Sequence, residues 1–233
     1  MESIYEEQPA KSRGKHNDNI RKQIMDTAEK LNKRYGFDGL SMNLIAEETG
    51  ISKKGIYERF ASKAELVDSI VYKRITTNKN ELEERKRLAK NPIHEAFIIW
   101  HIIDEFVKDY NTNTVLQIQQ SFYQTFRRIK RFKNKFLFEL FKSNVDRGIR
   151  EGLYRDTIKS TLISRYMLDL SFMSPYSVFR RAGYLYTDMD NQMLTYHLHG
   201  LATEKGAGLI RRYKNEALAQ SSKYLNAVND PNC

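Results

Sequence analysis

The chain has 233 residues, 40% of them hydrophobic and 29% charged, a balance that builds a globular core and excludes a disordered polymer. Its 11 glycines and 4 prolines are too few for a turn-dense all-β protein, so long helices are expected, and its short, charge-broken apolar runs exclude a transmembrane helix. The net charge of +10 favours polyanionic partners, and the single cysteine, Cys233, excludes an internal disulfide and a cysteine-based metal site.

The opening MESIYEEQPAKSRGK has no apolar centre and does not read as a secretory signal. With one cysteine, the expected compartment is the reducing cytoplasm. Residues 1–18 read as a flexible, polar tail. Helical periodicity starts at Asn19, with Ile20, Ile24, Ala28 and Leu31 at spacings of three and four. Gly36, in Tyr35-Gly36-Phe37, suits the left-handed residue that ends a helix. Three short units follow, each opened by a serine. Ser41 precedes MNLIAEET, Ser52 precedes KKGIYERF, and Ser62 precedes KAELVDSIVYKRI. Glu65 completes a capping box with Ser62. The second helix is expected to bury Leu44, Ile45 and Ala46, and the third Ile56 and Phe60. Thr49-Gly50-Ile51-Ser52 joins them by a short turn containing glycine, the helix-turn-helix arrangement.

The remainder also reads as all helix. A charged stretch from Lys79 to Lys90 stops at Asn91-Pro92. Ile93 to Tyr110 is amphipathic. The longest expected helix runs from Val115 to about Gly148, with Phe122, Phe126, Ile129, Phe132 and Phe136 on one stripe. After a turn at Gly148–Asp156 come helices over Ile158–Met173 and Met189–Leu201, separated by a loop around Ser174-Pro175 and Tyr184–Asp188. A final helix follows Thr203 and carries Leu209, Ile210 and Tyr213.

The segment Ser52–Phe60 carries the chemistry. With Ile56 and Phe60 turned inward, the outer face shows Lys53, Lys54 and Tyr57. Recognition helices read base edges mainly with their N-terminal residues, and lysines there reach guanine or phosphate. The Tyr57 hydroxyl can donate to a phosphate. Ser52, Ser62 and Lys63, at helix starts, also suit phosphates.

Residues 20–71 resemble the tetracycline-repressor (TetR) family of bacterial regulators. The elements that carry the resemblance are Gly36-Phe37, Ser41, Ile45-Ala46, Gly50-Ile51-Ser52, Ile56-Tyr57, Phe60 and Ser62-Lys63…Leu66. They cover under a quarter of the chain. The resemblance implies base contacts at Lys53 and Asn43, and backbone contacts at Ser41, Tyr57 and Lys63. The chain departs from the family pattern at Lys54-Gly55, where a hydroxyl is usual, and at Glu58-Arg59, where an aromatic or histidine is usual. Arg59 is kept as a DNA contact and Glu58 is not. Asn32 stands where a buried Phe is common, which implies looser packing of the first helix.

The resemblance further implies a larger C-terminal part that dimerises and holds an effector. The dimer pair would be the last two large helices, with Leu162, Tyr166, Leu170, Met193, His197 and Leu201 as contacts. The effector site is expected among the middle helices, at Trp100, His101, Phe106, Tyr110, Gln120, Tyr123 and Phe172, in a partly apolar cavity with a few polar groups. The run Arg127–Lys135 holds six basic side chains and reads as the solvated face of one helix.

No catalytic set appears. The five histidines have no compact ligand spacing, and no nucleotide or nucleophile motif is present. No metal and no cofactor is expected. The expectation is an all-α protein with a helix-turn-helix domain over residues 19–75, an effector and dimerisation domain over 76–225 and a tail from 226. Its partners would be a double-stranded DNA operator, a small molecule and a second copy of itself, with no membrane. The alternative is a helical ligand-binding or scaffold protein whose helix-turn-helix no longer binds DNA.

Overall fold

The computed structural model describes residues 10–110, 112–172 and 186–215. These form two compact units, one of the described residues up to 74 with 113–128, the other of those from 75 to 112 with those from 129 on. Among the described residues the only β feature is an isolated bridge between Tyr154 and Ala202.

In the first unit, α1 (Ala10–Gly39) begins nine residues before the sequence pattern does, so residues 10–18 form helical turns instead of the expected tail. Its inward face is Ile24, Ala28 and Leu31, all buried. Gly36 breaks it at φ 71°, a left-handed conformation that glycine adopts without a Cβ clash. That turn aims Phe37 and Leu40 into the core. Asn32 is only half-buried, and its Oδ1 is buried without a hydrogen-bond partner among the described residues. Next come α2 (Met42–Thr49), α3 (Lys53–Tyr57) and α4 (Lys63–Arg87). α2 buries Met42 and Ile45, not the expected Leu44 and Ala46, which are half-buried. Ser41 sets this phase, because the helix it caps starts at Met42. At the start of α4, Ser62 Oγ accepts from the Glu65 amide at 3.1 Å. The Glu65 carboxylate reaches back to the Ala61 amide at 2.8 Å.

The second unit opens with the far end of α4, in which Ile75 and Leu82 are buried. α5 (Pro92–Asp109) is capped by Asn91, whose side chain accepts from the His94 amide, with Pro92 in the first turn. The long helix expected from Val115 is instead α6 (Thr112–Ser121), α7 (Tyr123–Arg131), a π-helical turn (Phe132–Leu137) and α8 (Phe138–Arg150). The first break falls at Phe122, which is buried edge-on to Phe37 in the first unit. α9 (Ser160–Phe172) and α10 (Tyr186–Leu201) follow, then a last helix at residues 204–215. Tyr186 to Asp188, expected in a loop, are helical, while residues 173–185 and the tail from 226 lie outside the described residues.

A buried ionic set organises this unit. Glu95, fully buried on α5, meets Arg147 of α8 at 2.7 Å and Lys86 of α4 at 3.7 Å. Tyr154 lies beside it, donates to Asn144 Oδ1 at 3.2 Å, and is held protonated by burial and by Glu95. Asn144 in turn donates to the Pro92 carbonyl at 2.9 Å. Removing one member would strand a buried charge or donor, so the set specifies how α4, α5 and α8 pack.

Candidate functional site

The helix-turn-helix is held by its caps. Ser41 Oγ accepts from the Leu44 amide and Ser52 Oγ from the Gly55 amide, each at 3.1 Å. Gly50 ends α2 at φ 69°, with its amide bonded to the Ala46 carbonyl at 3.0 Å. Thr49 Oγ1 donates to the Ile45 carbonyl and accepts from the Ile51 amide. With Met42, Ile45, Ile56 and Phe60 buried, the outer face is determined. It presents Asn43, Ser52, Lys53 and Lys54 as exposed residues, with Tyr57 44% exposed. Among the described residues neither Lys53 nor Lys54 is paired with an acid. The arrangement offers two ammonium groups, an amide and a phenol to an anionic surface.

Two expected members of this face are turned elsewhere. The Arg59 guanidinium donates to the Gly55 carbonyl at 2.7 Å and lies 3.5 Å from the Glu58 carboxylate. Its side chain is 18% exposed. α3 ends after little more than one turn, so its last carbonyls need donors, and Arg59 supplies one. Arg59 therefore clamps the helix end, at a position where the sequence suggests a DNA contact. Lys63 points its Nζ at the Asp38 carbonyl, 3.3 Å away, and stands 5.7 Å from the Phe122 ring centre. Partial burial lowers its pKa against the pull of Asp38.

Of the expected effector residues, Phe106, Tyr110 and Phe172 share one aromatic cluster. Phe106 and Tyr110 of α5 stack at 4.8 Å, and Phe106 also meets Phe132 at 5.2 Å and Phe172 at 6.3 Å. Trp100 is buried elsewhere on α5, 6.3 Å from the His197 ring. His101 is exposed. Gln120 and Tyr123 are exposed within the segment that folds with the first unit. Phe122 on Phe37 and Arg128 on Asp68 fold residues 113–128 with the first unit.

The expected dimer residues divide in a different way. Leu162 and Tyr166 on α9 are 69% and 51% exposed. They border a groove of about 500 Å³ with Ile158, Ile163 and Leu201. Tyr196 on α10, outside the expected set, is 67% exposed. Leu170, Met193 and His197 are half-buried. Leu201 is only 6% exposed and packs mainly in the core of its own chain.

A family model described as bacterial regulatory proteins, tetR family, matches residues 24–70. The helix-turn-helix region is thus similar to that of the tetR-family regulators. Over 168 residues the chain is 24% identical to the HTH-type transcriptional regulator YfiR of Bacillus subtilis, covering 67% of this chain and 78% of that one. The fold is shared with the ketosteroid regulator KstR2 of Mycobacterium tuberculosis, at a TM-score of 0.62 and 20% identity over 79% of this chain and 96% of that one. It is also shared with AibR, solved with isovaleryl coenzyme A and operator DNA, at a TM-score of 0.57 and 20% identity over 78% and 97% of the two chains. A γ-butyrolactone receptor matches at a TM-score of 0.65 and 14% identity, covering 86% of this chain and 99% of that one. Among the described residues no helix is long and apolar enough to cross a membrane, and no group of side chains could hold a metal ion.

The first unit also relies on residues that carry no signal in the sequence pattern. Arg21 donates to the Arg59 carbonyl at 2.5 Å and to Ser69 Oγ at 3.1 Å, with its guanidinium 4.0 Å over the Phe60 ring. It ties α1 to α4 and to the end of α3. Asp68 of α4 accepts from Arg128 at 2.8 and 3.0 Å and from Thr125 at 3.2 Å. That bond raises the Arg128 pKa above its ordinary value. The charge run therefore loses Arg128 to Asp68, and Lys133 to Asp169 at 3.0 Å, while Arg127, Lys130, Arg131 and Lys135 stay exposed. Pairings between residues sixty positions apart leave no periodic signal.

Proposed function

We propose that this regulator is a homodimeric repressor that binds a palindromic DNA operator and is released by a small-molecule effector. It acts by binding and not by catalysis, in the cytoplasm. The observation that carries the reading is the outward face of the capped helix-turn-helix, where Lys53, Lys54 and Tyr57 stand free of the core. Lys53 and Asn43 are assigned to base edges, and Ser41, Ser52, Lys54 and Tyr57 to the backbone. The DNA- and ligand-bound structure of AibR supports both parts of the reading.

The exposed Leu162, Tyr166 and Tyr196 support a two-fold interface on α9 and α10. Such a dimer must hold its recognition helices about 34–36 Å apart, or a multiple of that, to reach successive major grooves. The effector acts by binding one spacing of the dimer better than another.

A mobility-shift assay against DNA from upstream of the protein's own gene, with competitor and at fixed salt, tests the reading. A sequence-specific complex of two chains is expected. Binding without sequence preference points to a nucleoid-type protein, and no binding to a ligand-binding or scaffold role. Either result overturns the repressor.

A further inference from the structure

We propose that Trp100 and His197 form the polar end of a small-molecule site in the second unit, one that takes an apolar ligand with an uncharged oxygen acceptor, such as a ketone or ester carbonyl. This rests on the effector reading above and names the ligand chemistry. Trp100 sits on α5 and His197 on α10, two helices that pack together. Their rings are 6.3 Å apart and inclined by 43°. Trp100 Nε1 and His197 Nε2 are both buried, and neither has a hydrogen-bond partner among the described residues.

That absence is informative because the indole nitrogen is only ever a donor. Buried donors in folded proteins are nearly always matched by an acceptor, so two neighbouring unmatched nitrogens mark where something else binds. A third unmatched group, the Ser164 hydroxyl, is fully buried on α9, which also packs against α5. A carbonyl oxygen has two lone pairs and accepts from Trp100 and from the His197 ring together.

The surroundings determine the charge of the ligand. Burial lowers the His197 pKa below its ordinary value, so the ring is neutral at physiological pH and offers an anion no ion pair. The Trp100 indole likewise carries no charge, so the two donors suit a neutral oxygen acceptor. The His197 ring also meets Tyr166 edge-on at 5.8 Å, on the exposed face proposed for the dimer. Occupancy at His197 thus bears directly on a side chain of that face.

Trp100 is the only tryptophan in the chain, so ¹⁵N-labelled protein gives one indole N–H resonance, which reports this site alone. Full-length protein is titrated without DNA, using cyclooctanone in one series and the carbonyl-free cyclooctene in the other. The expected result is a saturable downfield shift with the ketone and none with the alkene. His197→Phe should weaken the ketone by about tenfold. The wild-type comparison stands by itself if that variant misfolds.

Three results overturn the proposal. They are an indole proton already bonded or exchanging with water in the free protein, an unmoved peak up to the solubility limit of the ketone, and an equal response to the alkene. An effector that releases operator DNA while leaving this resonance unmoved removes the site but keeps the regulator. A ketone that binds here and leaves the operator complex intact keeps the site but removes the release mechanism.

Discussion

The outward face of the helix-turn-helix and the aromatic residues of α5 lie in different units and were read from the same sequence, with opposite results. On the first, the side chains expected to meet a ligand stand clear of the core, because two serine caps and two apolar pairs determine which way each short helix faces. On the second, Phe106 and Tyr110 are packed into their own aromatic cluster, and Trp100 ends beside a residue from α10. A face defined within twenty residues follows from spacing. A pocket lined from four helices depends on how those helices meet.

The largest expected effect tests the rigid side of that contrast. Phe60 is fully buried beneath the Arg21 guanidinium and ends the recognition segment. Phe60→Ala should cost about 3–5 kcal/mol and abolish operator binding. Chemical denaturation measures the first and a mobility shift the second. A stability loss below about 1 kcal/mol would show that the caps hold the motif without this anchor.

The next effect separates core from interface on the other side. Leu201→Ala should destabilise the chain by roughly 2–5 kcal/mol, as a buried leucine does. Leu162→Glu should leave the stability of each folded chain within about 0.5 kcal/mol and break the dimer. Thermal melts of the variants at concentrations where both are monomeric, with light scattering for mass, decide it. A dimeric Leu162→Glu would move the interface off α9.

Lys53→Ala is expected to relax preference at one base position by about 1–3 kcal/mol, read from a randomised operator library. A uniform loss over all sequences would make Lys53 a phosphate contact.

The smallest effect is a pH dependence at His197. Burial lowers its folded pKa, so the unfolded chain takes up the proton first as the solution is acidified. The folded state loses stability as pH falls through about 6.5, the ordinary histidine value, towards the lower folded value, and is unaffected above that window. Melts of wild type and His197→Gln at pH 7.5 and 5.5 should differ in slope, with the wild type more pH-sensitive. Equal slopes would place the histidine in water.

The helix-turn-helix was legible because its determinants are local. Ser41, Gly50 and Ser52 each act on amides or a backbone angle within a few residues of themselves, and Ile56 and Phe60 share a face by helical period alone. Leu162 and Tyr166, which the sequence suggests as dimer contacts, are exposed on α9. The Arg59 clamp was not legible because the carbonyl it serves is visible only once α3 is known to end at Tyr57. The burial of Leu201 was not legible because an apolar residue at helical spacing suits the core and an interface equally well.

From the sequence alone come the helical class, the resemblance of the helix-turn-helix to a known family, the two capped helices and the residues they turn outward, since caps, period and turn chemistry act over one or two helical turns. Tertiary structure decided the rest. It placed residues 113–128 with the first unit through Phe122 on Phe37 and Arg128 on Asp68. It also paired Trp100 with His197 across ninety-seven positions of chain. Such contacts are selected by the shape and charge of the whole assembled core, and no short-range pattern encodes which partner a distant side chain will meet.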